Sequence, residues 1–231
     1  MPTMYEIYKM HSVEYDRLVN AEDYRGNLHR ALHELVDWNG ANVIEAGIGT
    51  GRVTELYVRN AKRIECFDRE LHMLEAAKRR LVGSLDKIRF HVGDNLDLPQ
   101  LGMAADVFVE GWSWGHSIGD TTGLIEETTN ALMNSAVRNL GPGGSIVLIE
   151  TMGTNVEEAN PPDEKLAEFY RLLVAKHGMV QKIIRTDYQF RSVQEAATVT
   201  GFFFGESMME AVTARNSTVV PEWTGIWKGT L

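Results

Sequence analysis

The stretch Val43-Ile44-Glu45-Ala46-Gly47-Ile48-Gly49-Thr50-Gly51-Arg52 puts a carboxylate near the end of a short apolar run, followed by three glycines at alternating positions. Glycine has no Cβ, so the backbone there can turn sharply and come close to a ligand. A helix opening behind the turn offers unpaired N–H groups and the positive end of its dipole. A turn of this kind binds a nucleoside or an anionic group. Two details narrow the choice. A dinucleotide fingerprint wants its third glycine three residues after the second; Arg52 holds that position, and the third glycine comes early, at Gly51. The carboxylate of Glu45 would repel a pyrophosphate and suits an ammonium group. Both details favour S-adenosylmethionine over NAD.

Further polar residues close the next apolar runs: Asp68 after Arg63–Phe67, Gly93-Asp94-Asn95 after Ile88–Val92, and Glu110-Gly111-Trp112 after Asp106–Val109. Open α/β sheets bind ligands at the carboxyl ends of their strands. In this order the segments resemble the class I S-adenosylmethionine-dependent methyltransferases, from about residue 26 to the end, with Glu45 to Gly51 similar to the family's motif I. The resemblance implies a three-layer α-β-α sandwich in the α/β class. Its seven-stranded, mostly parallel, twisted sheet ends in an antiparallel strand. It further implies that Glu45 binds the amino group of the cofactor and that Gly47, Gly49 and Gly51 cradle its methionine part. Asp68 would hold the ribose, Asp94 and Asn95 would contact the adenine, and Glu110 and Trp112 would face the methyl group. The family commonly has an apolar residue after the ribose acid. Here it is Arg69, whose stem or planar head can pack over the adenine instead. The absence of an Asn-Pro-Pro-Tyr signature argues against enzymes that methylate the amino groups of DNA bases or protein glutamine.

Methyl transfer from a sulfonium is an in-line displacement, so the protein mainly aligns the partners and removes water. A base is needed only where the acceptor must lose a proton. His116, in the polar and aromatic loop Gly111 to Ser117, is the candidate base, and Glu110 is placed to orient the cofactor or the acceptor. Trp112 and Trp114 are candidates to line the pocket, where an aromatic face attracts a sulfonium; packing is the expected role of at least one. The tyrosine-rich segment Tyr5 to Asp16 precedes the fold and is read as a lid, with Tyr15 reaching the methionine carboxylate and Tyr8 or His11 the acceptor. His29 and His33 are read as exposed and not as metal ligands, and no metal site is expected. Cys66 is expected in the core and Lys78-Arg79-Arg80 on a solvated helix face. Phe202-Phe203-Phe204 and Met208-Met209 are expected in the core; they and Trp223 with Trp227 are also candidates for a pocket wall and a subunit contact respectively.

The elements that must position these groups alternate helix and strand, as parallel βαβ units do. Helices are expected over about 26–37, 50–60, 71–81, 123–139, 164–177, 192–201 and 206–214. Strands are expected at 43–46, 63–67, 88–92, 106–109, 145–149, 183–190 and about 217–220, the last two as an antiparallel edge hairpin. One domain over 1–231 is expected, with residues 1–25 as an N-terminal arm. Among the 231 residues acids outnumber Lys and Arg 32 to 23, which argues against a generic nucleic-acid binder. One cysteine excludes an internal disulfide framework, and no apolar run approaches the ~20 residues of a membrane span. A cytoplasmic monomer or homodimer acting on an O or N atom of a small molecule is the expectation. The alternatives are an RNA or protein acceptor, a non-catalytic subunit that binds the cofactor, and an NAD-dependent oxidoreductase. An aminopropyl transferase ranks low, for want of an acidic pair after the fourth strand.

Overall fold

A computed structural model describes residues 11–231; Tyr5 and Tyr8 lie outside them. Helices α1 (Ser12–Ala21) and α2 (Asn27–Leu35) lead into β1 (Asn42–Ala46), α3 (Arg52–Tyr57), β2 (Arg63–Asp68), α4 (Leu71–Arg80) and β3 (Ile88–Val92). The chain continues through β4 (Ala105–Gly111), α5 (Trp114–Asp120), α6 (Ile125–Val137), β5 (Leu140–Thr154), α7 (Glu164–Ala175) and β6 (Val180–Arg185). A short β7 (Tyr188–Gln189), α8 (Val193–Phe204), α9 (Glu206–Arg215), β8 (Val219–Val220) and β9 (Glu222–Thr230) complete it.

Seven strands form one sheet in the order β3-β2-β1-β4-β5-β9-β6, and β9 runs antiparallel to both its neighbours. Central strands of such a sheet are covered on both faces, so they read as continuous apolar runs. Val43, Ile44 and Ala46 are accordingly buried. One apolar cluster packs Leu28, Leu32, Trp38, Tyr57 and Leu74 against one face of the sheet. Another packs Trp114, Leu132, Phe169 and Trp227 against the other. After β1 the chain runs outward to β3 and then returns to pair β4 beside β1. That reversal opens a crevice at the carboxyl ends of the strands.

The seven-stranded mixed sheet matches expectation, but its late strands are placed differently. The antiparallel member is β9, set between β5 and β6, whereas residues 219–220 only pair with β7 in a two-stranded ribbon. The run 183–190 is broken at 186–187 into β6 and β7. Gly225 and Gly229 make β9 look like a turn region. Gly225 is there because the Trp227 indole lies across it: a Cβ would sit 2.4 Å from the ring. Trp227 is therefore wholly in the core, not at a subunit contact, and Trp223 lies under the Arg185 guanidinium at 4.6 Å. Helix α5 occupies residues read as loop. Ser192 caps α8 as expected, accepting from the Glu195 N–H at 3.1 Å, while the Glu195 carboxylate takes the N–H of Arg191. Helix α8 runs past Gly201, which is no stop signal here: Met209 of α9 lies 2.7 Å from where a Cβ would be, so the glycine makes room for α9.

Gly225→Ala should overpack this corner. The cost should be about 1–3 kcal/mol, measured as a lower urea midpoint; an unchanged midpoint would show that the ring is free to move aside.

Candidate active site

At the carboxyl ends of β1 to β4 the glycine bend forms one wall of a cleft. Gly47, Gly49 and Gly51 have φ of +66°, +55° and +84°, values that cost a side chain steric strain and glycine none. Space forbids a side chain as well: a Cβ on Gly47 would lie 2.3 Å from Ser113, and one on Gly51 would lie 2.9 Å from Leu81. Asp68, ending β2, accepts the Gly49 N–H at 2.8 Å through one oxygen and the Glu70 N–H at 2.9 Å through the other. Burial raises its pKa. Each oxygen keeps a further lone pair.

Asp68, Arg69, Asp94, Asn95, Trp112 and His116 all line this cleft, together with Gly47 and Gly49. Asp94 caps the turn behind it, accepting from the Leu96 N–H at 2.9 Å, and the Asn95 amide donates to Ser113 Oγ at 3.2 Å. Trp112 has φ +54° and takes the Arg52 guanidinium on its ring at 4.4 Å. Tyr15, from α1, brings its hydroxyl close to Gly49, 3.9 Å from where a Cβ there would stand. Burial pushes its phenol up to about 12. Burial lowers the His116 pKa, so at neutral pH the imidazole is uncharged and able to accept a proton.

Glu45 and Glu110 do not line the cleft, and the direct ligand roles expected for them are corrected accordingly. The Glu45 carboxyl turns into the core beneath the bend, accepting from Thr54 Oγ1 at 2.7 Å and from the Tyr57 hydroxyl. Alternation along β1 puts it on the same face as Val43, under α3. Glu110 accepts from Ser113 Oγ at 2.8 Å and from the Trp114 N–H at 2.9 Å, so it anchors the start of α5. Ser113 in turn presses on Gly47. Burial pushes both acids up to about 7. Gly51 also lies off the cleft lining and serves as the N-cap of α3. Trp114 is core, packed on Phe108 at 5.8 Å.

A second cavity of about 660 Å³ opens on the other side of Tyr15, Trp112 and His116, which line both spaces. Its roof includes Leu18 and Val19 of α1, which Arg80 staples down through Asp16 at 2.9 Å and Asn20 at 2.7 Å. Arg80 is thus mostly buried and not a solvated member of its basic run. Phe203, Phe204 and Met208 line this cavity, the pocket-wall alternative, and Phe203 is at the same time buried in an apolar cluster on which Phe202 and Met208 pack, as expected of core residues; the His11 ring packs on Phe202 at 5.4 Å. Cys66 is buried as expected. His33 bonds the Leu56 carbonyl at 3.0 Å. No helix among the described residues is long and apolar enough to cross a membrane.

Sequence reasoning missed Glu22, Arg52, Glu150 and Glu222, which also line the second cavity. The Glu22–Arg52 pair closes at 2.6 Å, and Glu150 accepts the Gly115 N–H at 2.6 Å. A signal was present in one case. Glu150 ends the apolar run Ile146–Ile149, as Glu45 and Glu110 end theirs, and a carboxylate inside a buried strand needs a local purpose.

Residues 43–144 match the family described as a methyltransferase domain. An uncharacterized methyltransferase of Oceanobacillus iheyensis is 28% identical over 121 residues, 52% of each chain; the chain spans about half the length of this curated relative. Among solved structures, the YcgJ protein of Bacillus subtilis is similar at TM-score 0.57 and 11% identity, over 90% of this chain and 98% of that one. Geranyl diphosphate C-methyltransferase from Streptomyces coelicolor A3(2), solved with S-adenosyl-L-homocysteine, is similar at TM-score 0.56 and 17% identity, over 94% and 84%. An rRNA methylase from Streptococcus thermophilus is similar at TM-score 0.51 and 14% identity, over 88% and 95%. These likenesses establish the class I methyltransferase fold.

The buried Glu45 carries a pH signature. Its folded pKa of about 7 stands above the ordinary 4.5, so between those values the folded state holds a proton that the unfolded state has released. Stability is therefore highest below the ordinary value and falls as pH rises towards about 7. Glu45→Gln should flatten the urea-midpoint profile across that window; an unchanged slope would place the titration elsewhere.

Proposed function

We propose that this chain, a class I S-adenosylmethionine-dependent methyltransferase by fold and domain family, transfers a methyl group to an oxygen or nitrogen atom of a small molecule in the larger cavity. The observation that carries this reading is the shared wall: Tyr15, Trp112 and His116 face both the cleft of the glycine bend and the larger cavity. A donor in one space and an acceptor in the other would meet across those three side chains.

The cleft fits the cofactor. Asp68 has lone pairs to spare for ribose hydroxyls; Asp94 and Asn95, which line the same cleft, would contact the adenine, and Arg69 would cover its face. The bend admits the methionine part because no Cβ intrudes. When bound, S-adenosylmethionine supplies a sulfonium methyl for in-line displacement. Glu45 and Glu110 act from behind as positioning residues, one beneath the bend and the other through Ser113. Trp112, whose ring already carries the Arg52 guanidinium, lines the wall between the two spaces. Tyr15, an un-ionised phenol, donates a hydrogen bond towards the amino-acid end. His116, uncharged, takes the proton an acceptor gives up. Helix α1 is read as the lid of the cavity, and residues 1–231 as one domain.

A cavity of 660 Å³ lies within the usual range for small ligands. Its ionisable lining holds one Arg or Lys, Arg52, against the carboxyls of Glu22, Asp120, Glu150, Asp163 and Glu222. That balance disfavours a polyanion and supports a small acceptor over RNA. A buried cysteine fits a cytoplasmic location.

Calorimetry with S-adenosylhomocysteine tests the cofactor half of this reading. Asp68→Ala should weaken binding by on the order of 10- to 100-fold, the loss of charge-assisted hydrogen bonds. His116→Ala should bind as wild type yet turn over about 100-fold more slowly in a methylation screen. Normal turnover in that variant would remove His116 as the base.

A further inference from the structure

The polar floor of the larger cavity goes unused in the reading above. Glu222, at the start of β9, is 1% exposed. Its Oε1 accepts from Thr151 Oγ1 at 2.9 Å and the Thr154 hydroxyl also lowers its pKa, while Oε2 makes no close hydrogen bond. Glu22, just past α1, has a side chain 5% exposed; its Oε2 is held by Arg52, and its Oε1 likewise has no partner. Both line the cavity. Two oxygens this buried are costly to leave without donors, which a water or a ligand in the cavity can supply.

We propose that the small-molecule acceptor carries a basic amino group that docks as an ammonium against the open oxygens of Glu22 and Glu222. This rests on the methyltransferase reading and names the substrate class that its acceptor cavity takes. An ammonium brings three N–H donors and a positive charge, matching two unfilled acceptors at once. A hydroxyl brings one donor and no charge. A carboxylate would find one donor, the unpartnered Nη2 of Arg52, but would face Glu22 and Glu222, and that guanidinium's charge is already offset by Glu22 through Nη1.

Electrostatics support the same chemistry. Burial, then the nearby Glu22, pushes Glu222 up to about 8 against the opposing pull of the Thr154 and Thr151 hydroxyls and of Arg52, so at pH 7 its carboxyl is largely neutral. An adjacent cation reverses that penalty and lets it ionise. The rest of the wall fixes the other half of the ligand. Leu18, Val19, Val156, Leu166 and Phe203 offer an apolar surface, so the amine is borne on an apolar body. The docking group is what the floor identifies, whichever atom of the acceptor receives the methyl.

A matched series tests this on the wild-type protein at pH 7: 2-phenylethylamine, 2-phenylethanol and 3-phenylpropionate, titrated calorimetrically with and without S-adenosylhomocysteine. The amine should bind at least about tenfold more tightly than either analogue, a difference of 1.4 kcal/mol, and Glu222→Gln should cut that preference below about threefold. An amine that binds no better than the alcohol or the acid, or not at all, overturns the proposal, as does a full preference surviving in a folded Glu222→Gln. Should that variant fail to fold, the wild-type series decides alone. S-adenosylhomocysteine, titrated by itself in the same experiment, reports on the parent reading: its failure to bind would sink methyl transfer, whereas its binding beside indifferent amines would sink only the docking group.

Discussion

Everything at this site depends on how closely the Gly47–Gly51 backbone can approach what stands behind it. Three left-handed residues in five let the chain leave β1 and enter α3 with Ser113 on one side and Leu81 on the other. The approach leaves no room for a Cβ at Gly47 or Gly51. It also brings the Gly49 N–H onto Asp68, which ties the bend to the end of β2 at 2.8 Å. A cleft wall made of backbone is rigid because moving it would mean moving two strands.

Buried carboxylates hold this surface from behind. Glu45 fastens the underside of the bend to α3, Glu110 seats Ser113 and the start of α5, and Glu150 takes the Gly115 N–H. Burying acids is expensive, and the cost shows in their raised pKa values. Each one offsets part of that cost by collecting hydrogen bonds that aim a loop. In Glu110 and Glu150 the penalty is shared, since two carboxyls in mutual contact favour keeping a proton between them.

How far the sequence is legible follows from the range of the interactions. Glycine spacing and the residue closing each apolar run are local signals, and they place Asp68, Asn95, Trp112 and His116 on one cleft. Whether a strand carboxylate faces ligand or core depends on alternation and on what covers each face, so Glu45 and Glu110 read as ligands and fold as supports. Strand β9 escapes because its glycines serve a contact made within the folded sheet, with Trp227. The acids Glu22, Glu150 and Glu222 of the second cavity come from the turn after α1, from β5 and from β9, segments that come together only when the sheet is complete. No spacing rule spans them.

The account stands or falls on what occupies the cleft, and a crystal structure of the protein with S-adenosylhomocysteine shows it directly. The proposed reading predicts the ribose hydroxyls on Asp68 and the adenine in contact with Arg69, Asp94 and Asn95. It also requires the sulfur facing the wall of Trp112 and His116 that borders the larger cavity. Density for the ligand away from the glycine bend, or a sulfur walled off from that cavity, would contradict it.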